Sequence, residues 1–247
     1  MTNSTRRSAS RVLGAAVILA GSACLFVPDA LARAGGGRSG GGGGGIVTLI
    51  LLPFFIAYAW YKNKRIKDKN VEAEALLAKL ARKDPLWEES KVLAAASRNF
   101  LAVQKAWCGQ DLPALRDLLH PDLYAVWEKE VAGLQAKGWT NKMDLLTIRA
   151  VRVVEVQNYR DASKDAFTVC VDAAAEDYTV DRSGAVVESN SSNNDKRAAK
   201  QKSFEGFREF WTYLRRGDGW ILLRVDDDGQ WSRTVNAPLV DEGDAPA

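Results

Sequence analysis

The sequence predicts an α+β domain, helices packed on a curved four-stranded antiparallel sheet, held behind segments that export and anchor the chain. Three observations predict it. Apolar residues recur at three- and four-residue steps between Leu93 and Leu134. The period then changes to two, in runs rich in Val, Ile and aromatics between Leu145 and Val225. Ahead of both lie an apolar run, a glycine tract and a second apolar run closed by lysines.

Charge divides the same way. The 247 residues carry a formal +3. Residues 1–61 hold five Arg against Asp29, and residues 62–69 hold five cations against Asp68, so residues 70–247 are left at −5. A mildly acidic body of this kind is no nucleic-acid-binding surface.

Residues 1–32 read as a signal peptide. Arg6, Arg7 and Arg11 form a positive start, Val12 to Val27 is uncharged, and Ala30-Leu31-Ala32 supplies small residues for cleavage. Cleavage after Ala32 and retention as an uncleaved anchor both stay open. The Arg6-Arg7 pair lacks the apolar residue a twin-Arg signal carries next, and Gly21 stands where a lipoprotein signal at Cys24 needs Leu. The first 28 residues, acid-free and rich in Ser and Arg, also fit a mitochondrial presequence.

Residues 33–45 hold nine of the 20 glycines and read as a flexible linker. Ile46 to Tyr61 has no charge and makes about 24 Å of helix, close to the hydrocarbon thickness of a bilayer. Trp60 and Tyr61 suit an interface, and Pro53 is tolerated in a membrane helix. We expect a single transmembrane segment at 46–61. Lys62, Lys64, Arg65, Lys67 and Lys69 then mark a cytoplasmic flank, which puts residues 70–247 on the cytoplasmic side of the membrane. They are also the candidate contacts to anionic lipid headgroups, worth about 1 kcal/mol per cation.

Residues 62–83 form a basic juxtamembrane and helical connector, with Leu76, Leu77 and Leu80 on one face. The domain runs from 84 to 231. Asp84-Pro85 opens a helix whose apolar face is Leu93, Ala96, Phe100, Val103 and Trp107. Gly109 ends it, Asp111 caps Leu112–Leu119, and a third helix carrying Leu123, Val126, Trp127, Val131 and Leu134 stops at Lys137-Gly138. The strand Leu145–Tyr159 slips in alternation near Val153/Val154, which predicts a bulge. Phe167, Val169, Val171, Ala173 and Ala175 alternate with Thr168, Cys170 and Asp172. Ser189 to Lys202 reads as a mobile loop. Phe204 and Phe210 oppose Phe207, Trp211 and Tyr213 on a long strand, which Gly217-Asp218-Gly219 turns into Trp220–Val225. Residues 232–247 read as a flexible tail. A sheet apolar on both faces, covered on one and curled on the other, makes a cone with a pocket.

Several pieces resemble the Tim44-like domain family. They are Asp84-Pro85, Phe100 to Trp107 (FLAVQKAW), Gly109 to Leu112 with Leu115 to Leu118, Phe207 to Arg215 (FREFWTYLR), and Trp220-Ile221-Leu222. The resemblance covers roughly Asp84 to Trp231 and implies a cone-shaped, nuclear-transport-factor-2-like fold working at an inner membrane. It also implies an adaptor or scaffold that binds a protein partner, in protein biogenesis or translocation, or lipid. The long Ser189–Lys202 loop departs from it, and no chaperone-recruiting segment is recognisable.

Trp107, Trp127, Phe207, Trp211 and Tyr213 sit where helix and sheet faces converge. They are core residues first and candidate lining of an apolar pocket second. His120, the only histidine, occupies a helix–helix corner and reads as a cap. Asp172 and Tyr213 are the first suspects for one alternative, a small-molecule enzyme of the same fold; a lipid sensor reading the Lys62–Lys69 run is the other. Glu209 and Arg215 read as a structural ion pair. Cys108 and Cys170 lack CxxC or histidine neighbours and read as reduced thiols, so no metal and no cofactor is expected.

Overall fold

In a computed structural model, residues 44–189 and 204–243 are described, with side chains from residue 51 onward. The predicted signal peptide, most of the glycine linker and the predicted loop beyond Ser189 lie outside them.

The predicted span and connector are one helix, α1 (Gly44–Leu80), with Pro53 inside it. Among the described residues no helix is long and apolar enough to cross a membrane. The predicted span begins at Ile46, ahead of the residues with described side chains.

Asp84 caps as predicted, its carboxylate accepting from the Leu86 N–H at 2.9 Å, but it opens a 3-10 turn, Pro85–Trp87. Helix α2 begins only at Glu89 and runs to Cys108. The turn lets Trp87 swing inward, where its ring meets Trp220 edge-on at 4.9 Å. Helix α3 (Leu112–Leu118) is capped by Asp111. Helix α4 (Pro121–Lys137) is capped by His120 and ended by Gly138 in the left-handed region, φ 69°.

Strand β1 (Thr140–Asn158) is 19 residues long, with register shifts that include one between Val153 and Glu155. It pairs antiparallel with β2 (Ala166–Val180), which pairs with β4 (Phe204–Arg216), which pairs with β5 (Gly219–Asp227). The β4–β5 hairpin turns at Gly217, φ 59°, as its glycines predict.

Two further strands correct the expected count of four. Strand β3 (Val186–Ser189) pairs with the far end of β2 after a turn held by the Asp181 carboxylate. The segment expected to be a frayed tail folds: helix α5 (Trp231–Asn236) is followed by β6 (Val240–Asp241), parallel to the end of β1. The tail holds because Trp231 and Val235 are buried. Six residues are too few for a visible period. The order is β5-β4-β2-β1-β6 with β3 beside β2, and the long, bulged strands curl the sheet into a half-barrel.

Two cores form, one on each face. The inner one gathers Ala73, Leu77 and Leu80 of α1, Phe100 and Val103 of α2, and Trp127 and Val131 of α4. They pack against Phe167, Val169, Val171, Phe207, Trp211 and Tyr213. The outer one is small: Ile66, Val154, Cys170, Phe210, Trp231 and Val235. The predicted alternation holds: Phe167, Val169, Val171, Phe207, Trp211 and Tyr213 enter the inner core and Cys170 and Phe210 the outer one, while Phe204 is exposed.

Candidate functional site

The five aromatics proposed as pocket lining are all buried, with Trp127, Trp211 and Tyr213 each 1% exposed. Trp107 meets Trp127 edge-on at 5.3 Å, Trp211 meets Phe100 at 4.8 Å, and Tyr213 stacks on Phe167 at 5.0 Å. The Tyr213 hydroxyl donates to the Ala96 carbonyl at 3.2 Å, and burial pushes its pKa well up. Phe207 lies against Phe100 at 6.4 Å. These rings pack in the core between helices and sheet, each removing apolar surface from water.

The suspected catalytic pair does not assemble. Tyr213 faces the inner core, whereas Asp172 lies on the other face of the sheet, gripped by Arg152 at 2.7 Å and Arg208 at 2.6 Å. Glu209 and Arg215 do not pair either. Six residues apart on one strand, they are separated by about 20 Å. Arg215 instead reaches Asp84 and Asp165, tying the Asp84-Pro85 opening to the sheet. Glu209 is 4% exposed and accepts from the Trp211 indole N–H at 2.9 Å. Burial first, then Asp177 and Asp227, push its carboxyl up to about 7 against the bond from Trp211.

The Cys108 and Cys170 thiols are free, pushed up by burial to about 11 and about 12. No group of side chains able to hold a metal ion occurs among the described residues. His120 accepts weakly from the Asp122 N–H at 3.4 Å, the capping role expected of it.

The basic run is partly spent on the protein itself. Lys62 is buried in an ion pair with Asp228 and donates to the Asp228 carbonyl at 3.2 Å. Burial lowers its pKa, with Asp228 opposing. Arg65 donates to Asn236 at 3.0 Å, Lys64 pairs with Asp68, and Lys69 with Glu72. Lys62 is therefore closed to a lipid headgroup. Its partner lies 166 residues away, so the local sequence carries no trace of the pairing.

A cleft lies on the outer face, where the sequence drew no attention. It has a volume of about 710 Å³ and is walled by β1, the β1–β2 connection, β4, β5 and α5. The predicted bulge shapes it: Val153 faces the inner core, Val154 the outer one, and Glu155 follows on the outer side. A polar ladder crosses four strands from there. Thr168 donates to the buried Glu155 carboxylate at 2.6 Å, so Thr212, 3.0 Å away, donates to Thr168 and accepts from Arg224 at 3.4 Å. Gln157 gives Glu155 a further donor at 2.7 Å. Every donor points toward the carboxylate, which offsets the cost of burying it. Arg224 and Arg233 share Asp226, each at 2.7 Å, and Lys164 stands at the rim. Tyr159, Leu214, Leu223 and Ala237 supply apolar wall. Apolar wall and charged groups of both signs thus line the same cleft. The alternation of β2 gave the face of Thr168; neither its partners in the ladder nor the part of α5 showed in the sequence.

A family model described as the Tim44-like domain matches residues 73–226. Among solved structures, the crystal structure of the intermembrane space region of chloroplast protein ARC6 is 13% identical. It aligns over 54% of this chain and 94% of its own, with a TM-score of 0.38. The solution NMR structure of a de novo β-sheet design protein is 14% identical over 56% of this chain and 87% of its own, with a TM-score of 0.28. A search of curated proteins finds no match. The matched residues include the Asp84 opening, the Phe207–Arg215 strand and the Arg215–Asp84 tie between them, and the chain belongs to the Tim44-like domain family.

Proposed function

We propose that the protein is an adaptor anchored in a bacterial inner membrane by Ile46–Tyr61, with its Tim44-like domain on the cytoplasmic side binding a protein partner. The observation that carries this is the continuity of α1. The uncharged segment passes without interruption into a helix whose later turns are built into both cores. Large apolar side chains on its upper half, among them Phe54, Ile56 and Trp60, are exposed. A bilayer is the environment that removes them from water.

The outer cleft is the partner surface of this reading, and its apolar wall beside paired charges supports it. Photo-crosslinking residues placed at Leu223 and Ala237 of the full chain in intact cells test it. Adducts with a membrane or translation-linked protein, absent when the same group replaces buried Val171, support the adaptor. The absence of any protein adduct at both sites overturns it. A reporter fused after Ala247 that is active only outside the cytoplasm overturns the topology.

A further inference from the structure

The upper half of α1 exposes large apolar side chains and touches the α5 corner of the domain. We infer that the domain stands on the membrane in one fixed orientation, with the α5 corner against the lipid headgroups. This rests on the anchoring of Ile46–Tyr61 proposed above.

A connector after a membrane segment is ordinarily a tether, and its length then sets a range of positions. Here no tether exists. Residues 62–80 add about 28 Å of the same helix, at about 1.5 Å per residue. Contacts to the body begin before the uncharged segment ends. The Trp231 indole N–H donates to the Tyr58 hydroxyl at 3.0 Å, and the Trp231 ring meets Tyr58 at 6.2 Å and Tyr61 at 6.1 Å, both edge-on. One residue later Lys62, its side chain 11% exposed, is paired with Asp228. Asn63 accepts from Arg208 at 2.9 Å, Arg65 donates to Asn236, and Ile66 enters the outer core. Asn70 donates to the Val153 carbonyl at 3.0 Å, and Ala73 and Leu77 enter the inner core. A helix fixed at this many points transmits its direction to the domain.

Charge and polarity change along α1 where an interface requires it. Leu51, Phe54, Ile56 and Trp60 are exposed, Phe54 by 69%. Just beyond them stand the cations left over for headgroups. Arg233 is 59% exposed and Arg224 47%, while their shared acid Asp226 is 11% exposed. Lys64 is also exposed, beside Asp68. Trp231, buried in the outer core, locks α5 to α1 at this level through Tyr58 and Tyr61. The β4–β5 hairpin at Asp218 lies at the opposite end of β5, about 26 Å from Asp226. The cleft beside α5 then opens next to the bilayer, so the partner segment that enters it is membrane-proximal.

The test reconstitutes the full chain, with Cys24→Ser and Cys108→Ser, into phosphatidylethanolamine–phosphatidylglycerol vesicles doped with headgroup-spin-labelled lipid. A fluorophore is attached at Arg233→Cys or at Asp218→Cys. Quenching several-fold stronger at position 233 than at 218 supports the orientation. Insertion of two glycines between Tyr61 and Lys62 brings the two values together. Equal quenching at both sites, in protein that floats with the vesicles, overturns the orientation and leaves anchoring intact. Failure to float overturns the anchoring and the orientation with it.

Discussion

Replacing Glu209 with Gln stabilises the protein at pH 8 and leaves it nearly unchanged near pH 4.5. Glu209 stands in the most distinctive family strand, faces the core, and has the indole of Trp211 as a hydrogen-bond donor. Asp227 lies opposite it in register, and Asp177 is also near, so the neighbouring field is acidic. Its carboxyl is held up to about 7 from 4.5. Between those values the unfolded chain has released a proton that the folded chain keeps. The unfolded state therefore binds fewer protons, and stability falls as pH rises. The loss is complete once pH passes the folded value. At about 1.4 kcal/mol per unit it amounts to about 3 kcal/mol. Gln keeps an oxygen for Trp211 and cannot ionise, so the variant lacks the slope. Urea unfolding of the full chain in detergent, followed by tryptophan fluorescence from pH 4.5 to 8, reads both curves. Parallel curves, or a variant that loses stability at pH 8, refute the reasoning.

Three further outcomes follow from the same geometry. Lys62→Met strands Asp228 and costs on the order of 2 kcal/mol in urea unfolding, whereas Lys62→Met with Asp228→Asn recovers most of that loss. Trp127, buried with its indole N–H unpartnered, tolerates Phe at a cost below about 1.5 kcal/mol, whereas Ala costs about 3–5 kcal/mol. Cys170 under Ile66 resists iodoacetamide in the folded protein, and Ile66→Gly raises its labelling rate above that of Cys108, as read by mass spectrometry.

What was legible in the sequence was local. The face of α2, the alternation on β2 and β4, the bulge at Val153, the hairpin at Gly217 and the caps at Asp111 and His120 are each set by a few neighbouring residues. Phe167 and Cys170 were assigned to opposite faces correctly because side chains on a strand alternate wherever the strand lies. The same rule placed Tyr213 and Asp172 on strands, yet it says nothing about the relative phase of two strands. Only register decided that they point apart, one into the inner core and one into the arginine clamp. The aromatics were correctly read as core first, but whether a cone is hollow or filled depends on how side-chain volumes from α2, α4 and the sheet add together.

The basic run marks the division most clearly. Its composition alone determined that Lys62 to Lys69 follow an uncharged segment and carry four net charges, since both properties are read one residue at a time. The tertiary structure decided that Lys62 belongs to Asp228, Arg65 to Asn236 and Tyr58 to Trp231. It likewise joined Glu155, Thr168, Thr212 and Arg224 into one ladder and folded the tail against α1. These partners are far apart in the chain, brought together by the packing of a curled sheet between two layers of helices. Periodicity reports which way a side chain points along its own element; only the assembled fold sets what it meets there.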